Sequence, residues 1–154
     1  MQLHDHDHDL CLREALDRIQ AVCHERGVKL TEVRRRILEL IWTSHRAYGA
    51  YDLLDMLRAE RGRVDPPTVY RALDFLLDQG FIHRVESLNA FIGCPLPDRS
   101  HSVQFFICDG CGTTLEAQDR GITQALERSA KAQGFQVEQK IVELRGRCAG
   151  CCTD

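Results

Sequence analysis

The stretch Pro66-Pro67-Thr68-Val69-Tyr70-Arg71-Ala72-Leu73-Asp74-Phe75-Leu76-Leu77 decides how the chain folds. A proline pair suits the first turn of a helix, where a missing N–H has no partner to lose. Val69, Ala72, Leu73, Leu76 and Leu77 then recur at helical spacing, and Gly80 can end the helix. Thr68, Arg71 and Asp74 fall on the opposite arc, with Tyr70 at its margin. This helix therefore packs on one side and shows a polar face carrying an arginine on the other. Phe81-Ile82-His83-Arg84-Val85-Glu86 and Asn89-Ala90-Phe91-Ile92 follow as two short strands around Ser87-Leu88, with a hairpin turn near Asn89.

Three further helices precede this one. Leu12, Leu16, Ile19, Ala21 and Cys23 form a stripe that Gly27 closes. Thr31 offers an N-cap hydroxyl with Glu32 in the first turn, and Val33, Ile37, Leu38 and Ile41 make the buried face. Arg34, Arg35 and Arg36 project largely from the other faces. The third helix spans roughly Ala50 to Glu60, with Leu53, Leu54 and Leu57 facing a core. Three helices, a fourth with a polar outer face and a hairpin directly after it make a winged helix-turn-helix pattern over residues 10–92.

Either side of that unit the composition changes. Residues 1–9, with His and Asp alternating from His4, have no periodic apolar face and read as a disordered tail; His4, His6 and His8 could capture zinc transiently, but nothing orders them and a tail without a metal role is the favoured reading. Residues 93–100, with Pro95 and Pro97, break both periods and form the linker. Residues 101–154 read as a small α/β domain. Its expected elements are strands Val103–Ile107 and Thr113–Ala117, a helix faced by Ile122, Ala125, Leu126, Ser129 and Ala130, and a long strand Phe135–Leu144 whose alternation slips at Ile141-Val142. So short a segment has little core of its own, and a staple or a partner subunit is expected. The fold class is α+β.

The whole chain of 154 residues is 44% apolar and 28% charged, values that suit a water-soluble protein. No apolar run of about 18 residues is present for a membrane helix. The N-terminus lacks the basic and apolar regions of a secretory signal, so a cytoplasmic location is expected. In a reducing compartment the eight cysteines point to metal rather than to disulfides. A net charge of −3 gives little general attraction for a polyanion. Nucleic-acid binding would then need local basic patches and a switch.

Cys108-x-x-Cys111 and Cys148-x-x-Cys151 are the strongest local motifs. Each pair has the spacing that points two thiolates at one ion, and two such pairs complete a closed, tetrahedral, structural zinc site. The 36 residues between them fit a site that clips a hairpin to the end of a later strand. Structural zinc contributes on the order of 10 kcal/mol or more to folding a small domain. His83, Cys94, His101 and Glu116 cluster around the linker as a second set. One thiolate, two imidazoles and a carboxylate form a mixed tetrahedral set suited to Zn²⁺, and an ion held by all four would fix the angle between the two halves.

Leu30-Thr31 with Arg34, Pro67-Thr68-Val69-Tyr70-Arg71-Ala72-Leu73, the hairpin ending at Asn89 and the paired CxxC motifs together resemble the ferric uptake regulator family over about residues 10–151. Ala50-Tyr51-Asp52-Leu53-Leu54 and the hairpin Phe81 to Asn89 are most similar to its zinc-responsive members. The resemblance implies a repressor of zinc-uptake genes that uses two zinc ions per protomer. Cys108, Cys111, Cys148 and Cys151 would hold structural zinc, and His83, Cys94, His101 and Glu116 regulatory zinc. It also implies a homodimer, its C-terminal strands paired across the two-fold axis, on a pseudo-palindromic double-stranded operator. Glu32 stands where family members often carry Pro after the Thr, and it is equally acceptable in a first helical turn. An iron or peroxide sensor is the nearest alternative. Cys94 and the single His in Ser100-His101-Ser102-Val103-Gln104, where iron sensors carry a His-rich stretch, argue against it.

For DNA reading, Arg71 is placed to reach a guanine edge, with Tyr70 beside it for a thymine methyl or a phosphate. Tyr51 resembles a family position that contacts the target. Arg34, Arg35, Arg36, Arg63 and Arg84 are candidate phosphate contacts, each also consistent with a solvated face. Asp55 and Arg58 would link neighbouring dimers by similarity to zinc regulators, although an i,i+3 pair within the helix is the plainer reading. A zinc-stapled protein-interaction module is the alternative of another class, and the arginine on the outer face of the fourth helix argues against it. An enzyme is not expected. A deaminase needs H-x-E with P-C-x-x-C, whereas the nearest pair here is His83-x-x-Glu86 and no Pro precedes Cys108. No membrane partner and no small-molecule substrate beyond a metal ion are expected.

Overall fold

The computed structural model describes residues 8–98 and 101–152, and the chain divides into two compact units, Met1–Arg99 and Ser100–Asp154. Unit 1 contains α1 (His8–Arg26), α2 (Glu32–Ile41), α3 (Ala50–Arg61), α4 (Pro66–Asp78), β1 (Ile82–Val85), a 3-10 turn (Glu86–Leu88) and β2 (Ala90–Gly93). α1 starts at His8, inside the stretch expected to be a tail, while His4 and His6 lie outside the described residues.

Each helix of unit 1 supplies a stripe to one core. Leu16, Ile19, Val22 and Cys23 come from α1, and Ile37, Leu38, Leu40 and Ile41 from α2. α3 adds Leu53, Leu54 and Leu57, and α4 adds Val69, Ala72, Leu73 and Leu76. Two details differ from the sequence pattern. Ala21 is exposed and Val22 takes its place, because two positions past Ile19 lie about 200° round a helix whereas three return to the same face. In α2, Leu40 is buried and Val33 only half-buried. The Thr31 side chain caps α2 by accepting from the Arg34 N–H, and the Asp52 carboxylate accepts from the Gly49 N–H to start α3.

β1 and β2 pair antiparallel from Ile82 opposite Gly93 to Val85 opposite Ala90. The turn between them closes on Asn89 in the left-handed region, where its side chain accepts from Arg84 at 2.7 Å. Tyr48 bridges Phe91 through two backbone hydrogen bonds and so ties the wing to the segment before α3. Gly93 is required by a close approach. A Cβ there would lie 2.3 Å from the Trp42 ring, the residue that ends α2.

Unit 2 contains β3 (Gln104–Cys108), β4 (Thr114–Ala117), α5 (Arg120–Ala132) and β5 (Val142–Gly146). The sheet order is β4-β3-β5, with β4 antiparallel and β5 parallel to β3. Gln104 is buried and organises the start of α5. Its Oε1 accepts from the Asp119 N–H at 2.6 Å and its Nε2 donates to Thr123 Oγ1 at 3.3 Å. The Asp119 side chain caps α5.

In unit 2 the expected helix is present and the expected long strand is corrected. α5 forms, but none of its residues is buried, and Leu126 is 42% exposed. The long strand Phe135–Leu144 is not formed. Pairing begins at Val142, where the alternation slips, because β3 is five residues long and offers hydrogen-bonding edge to Val142–Gly146 alone. Among the described residues, no helix is long and apolar enough to cross a membrane.

Candidate metal centres and nucleic-acid face

The parallel pairing of β3 and β5 builds the first centre. Cys108 lies opposite Gly146, so both strands end at the same level and each runs into a CxxC turn. The Asp109 N–H donates to Gly146 O at 2.7 Å and locks the two ends together. Gly112 N–H closes one turn on Cys108 O, and the N–H groups of Cys151 and Cys152 close the other on Cys148 O. The four Sγ atoms of Cys108, Cys111, Cys148 and Cys151 lie within 4.8 Å of one another. The Cys111 and Cys148 sulfurs are 3.8 Å apart, close to the edge of a tetrahedron with zinc–sulfur bonds of about 2.3 Å. At Gly110 a Cβ would sit 2.9 Å from the Cys151 sulfur, so the quartet closes over a glycine.

The electrostatics of this centre favour a cation. The Cys108 thiol is held down to about 6 by backbone N–H groups, first that of Cys148, whose nitrogen is 3.3 Å from the sulfur, then that of Cys111. Cys151 is pushed up to about 12 by the sulfurs of Cys148, Cys108 and Cys111 around it. Peptide dipoles thus support a first thiolate while its neighbours resist a last one, and a divalent cation relieves that repulsion. The donor set fits zinc. Cys152 is exposed, with its Sγ 3.6 Å from Arg147 O.

Each unit also carries one half of the second ligand set. In unit 1, His83 stands opposite Ile92 in the wing and Cys94 follows β2, its N–H donating to Phe81 O at 3.0 Å. Cys94 is 1% exposed, and its ligand atom and that of His83 are within 4.8 Å of each other. In unit 2, His101 Nε2 and Glu116 Oε1 are 2.9 Å apart. Burial pushes the Glu116 carboxyl above the ordinary carboxylate range, opposed by His101 and Gln118. Two ligands in each unit are half of a tetrahedral set.

The candidate DNA contacts divide into two groups. Arg71 and Tyr70 are exposed on α4, Tyr51 is 69% exposed in the first turn of α3, and Arg63 is exposed between the two helices. Among the described residues, none of these four side chains has a hydrogen bond, ion pair or ring contact. The other arginines are engaged. Arg34 lies 3.5 Å over the Phe75 ring and donates to Lys29 O. Arg35 reaches Glu39 and Gln20, and Arg36 forks onto Glu60 while also meeting Glu39. Arg84 pairs with Asn89 and Glu86. Arg58 donates to Val64 O, so the within-helix ion pair with Asp55 is not formed. Two arginines that no motif marks, Arg18 and Arg26, hold the segment after Cys94.

A helical unit with a two-stranded wing, joined to a sheet closed by four cysteines, has the build of a DNA-binding regulator. The Ferric uptake regulator family model matches residues 25–145, and the chain belongs to that family. It is 42% identical over 140 residues to the zinc uptake regulation protein of Escherichia coli (strain K12), covering 90% of this chain and 82% of that one. A solved zinc uptake regulator complexed with zinc and DNA matches with a TM-score of 0.85 at 42% identity, over 91% of this chain and 94% of that chain. The crystal structure of holo XcZur matches with a TM-score of 0.80 at 42% identity, over 94% and 98%. The chain is thus a transcriptional regulator of the family and not an enzyme.

Proposed function

We propose that the chain is a zinc-responsive repressor of zinc-uptake genes, acting in the cytoplasm as a homodimer on a pseudo-palindromic operator with two zinc ions per protomer. Cys108, Cys111, Cys148 and Cys151 hold the structural ion, which cross-links the ends of β3 and β5. His83, Cys94, His101 and Glu116 hold the regulatory ion. The observation that carries this reading is the division of the second ligand set, with His83 and Cys94 in unit 1 and His101 and Glu116 in unit 2. A tetrahedral ion needs all four, so its binding is linked to one arrangement of the two units. Moving such an equilibrium from 1:99 to 99:1 takes a preference of about 5.5 kcal/mol, within reach of a four-ligand site that forms in only one state. The thiolate of Cys94 favours zinc over iron or manganese.

The apolar surface of unit 2 supports the homodimer. Phe106, Leu126, Phe135, Ile141 and Leu144 are all exposed large hydrophobic residues, and Phe135–Ile141 has strand-forming sequence without strand pairing. Pairing of the C-terminal segments across a two-fold axis would cover both. Arg71, Tyr70, Tyr51 and Arg63 are the contacts that need no rearrangement to meet DNA, whereas Arg34, Arg35, Arg36 and Arg84 would first exchange an internal partner. Asp55 and Arg58, which do not pair with each other, are available to exchange salt bridges between neighbouring dimers on longer operators.

Metal content per protomer, measured before and after mild chelation together with operator binding on the same samples, tests the scheme. Two zinc ions falling to one with loss of binding is the expected result. Cys94→Ser should keep the fold and the dimer but lose zinc-dependent operator binding; zinc-dependent binding by that variant sinks the assignment. Arg71→Ala should weaken operator binding by about 1–3 kcal/mol, roughly 5–150-fold, with preference relaxed at one base pair. Equal weakening on all sequences would make Arg71 a phosphate contact instead. Steep salt dependence of duplex binding separates this function from a protein-docking module.

A further inference from the structure

The segment Cys94-Pro95-Leu96-Pro97 leaves β2 with two of its four residues proline. Each proline restricts the residue before it to extended backbone, so Cys94 and Leu96 are both confined and the segment is stiff. Its carbonyls are held by α1. Arg18 Nη1 donates to Pro95 O at 2.5 Å, and Arg26 Nη2 donates to Pro97 O at 3.0 Å. The two arginines are eight residues apart, about two helical turns, and so lie on one side of α1. Arg26 does more than hold the segment. Its Nη1 donates to Gln79 O at 2.6 Å at the C-cap of α4, and its guanidinium lies 5.8 Å from the centre of the Phe81 ring. The Phe81 carbonyl in turn accepts from the Cys94 N–H. One guanidinium therefore touches the segment after Cys94, the residue whose carbonyl holds Cys94, and the end of the helix that presents Arg71.

We propose that Arg18 and Arg26 are positioning residues for the regulatory zinc. They strap the Cys94 segment to α1 so that the thiolate is held ready for the ion, and Arg26 carries the occupancy of that site to α4. The proposal rests on the hinge-site reading given above. Neither arginine belongs to the candidate ligand sets or to the candidate DNA contacts described above. Their effect is to remove the ordering cost that the Cys94 segment would otherwise bear when the ion binds, and to make the orientation of α4 depend on where that segment lies.

Zinc competition against a chromogenic chelator, run on the full chain with structural zinc retained, tests this directly. Replacing both residues, Arg18→Gln with Arg26→Gln, should weaken the second zinc by about tenfold, the low end for groups that orient a metal ligand. Structural zinc should stay at one per protomer. Emission of the single tryptophan, Trp42, which lies against Gly93, should be unchanged before zinc is added. The ratio of operator affinities with and without the second zinc should fall further in Arg26→Gln than in Arg18→Gln, because Arg26 alone of the two reaches α4. Arg26→Lys, with one donor group in place of a fork, should recover part of the zinc affinity. Wild-type zinc affinity and wild-type coupling in the double variant overturn the proposal. If that variant does not fold, Arg18→Gln and Arg26→Lys are read in its place, and wild-type values in both overturn it equally. A wild-type chain that takes up only one zinc removes the hinge site and the strap together, whereas two zinc ions with unaffected variants remove the strap alone.

Discussion

Units 1 and 2 solve the problem of staying folded in different ways. In unit 1 every helix delivers a continuous stripe to a shared apolar core, with Ile19, Ile37, Leu38, Leu53, Leu73 and Phe81 almost fully buried. Among the described residues of unit 2 the buried side chains are Gln104, Phe105, Ile107, Cys108 and Thr114, two of them polar, while Leu126 of α5 and the large apolar residues of the segment before β5 are exposed. A set so small cannot offset the conformational entropy of ordering the segment. On the function proposed above, unit 2 would depend on what it binds, an ion between its strand ends and a second copy on its apolar face. Unit 1 is self-sufficient by its core, and unit 2 is conditional on its staple.

Removing the staple breaks that contrast most severely. Cys148→Ser should abolish structural zinc and with it the folded signals of unit 2, since the ion supplies on the order of 10 kcal/mol. Trp42 emission, which reports on unit 1, should still show a cooperative unfolding transition. Loss of both signals together would mean that unit 1 is not independent of the staple. Core truncation ranks next. Leu73→Ala should cost about 2–5 kcal/mol in urea unfolding of unit 1, because Leu73 is 1% exposed and belongs to the shared core on α4, the helix that packs on α2 and α3. Leu144→Ala, at a residue 44% exposed, should barely move that transition and instead raise the dimer dissociation constant seen by sedimentation. A concentration-independent effect of Leu144→Ala would remove the apolar face from the dimer contact.

The same contrast explains what could be read from the amino acids alone. The four helices and the wing of unit 1 were legible because its core is local and periodic; the differences were a helix start at His8 and single positions, Val22 for Ala21 and Leu40 more buried than Val33. The cysteine quartet was legible because two CxxC turns carry their geometry in their spacing. Phe135–Leu144 was not, because alternation marks a strand-forming segment but not where its pairing partner ends, and β3 offers an edge to Val142–Gly146 alone. Arg18 and Arg26 were invisible for another reason. They act on carbonyl oxygens, which every residue possesses, so no side-chain pattern marks the target. The division of Arg34, Arg35 and Arg36 from Arg71 was equally hidden. Sequence shows a positive charge but not whether an acid or an aromatic ring already holds it.

The smallest test asks whether unit 1 rests on its core or on its charges. Arg36 forks from α2 onto Glu60 at the end of α3, with contacts of 2.8 and 2.5 Å, the clearest ionic link between those helices. The Arg36 guanidinium holds the Glu60 carboxyl below its ordinary value of 4.5, chiefly through that hydrogen bond. A carboxyl whose value is lowered by folding stabilises the folded state above its unfolded value and loses that contribution as pH falls through the lowered one. Glu60→Gln should therefore unfold like the parent near and below the lowered value, and be slightly less stable from about pH 5 upward. Urea midpoints measured from pH 7 to pH 3 on both proteins give the comparison, because acid effects on the zinc ligands are common to the two and cancel in the difference. Both groups are partly exposed, so solvent screening keeps the gap small. A difference as large as that of Leu73→Ala would mean that the ion pair, rather than the apolar stripe, sets the packing of α2 on α3.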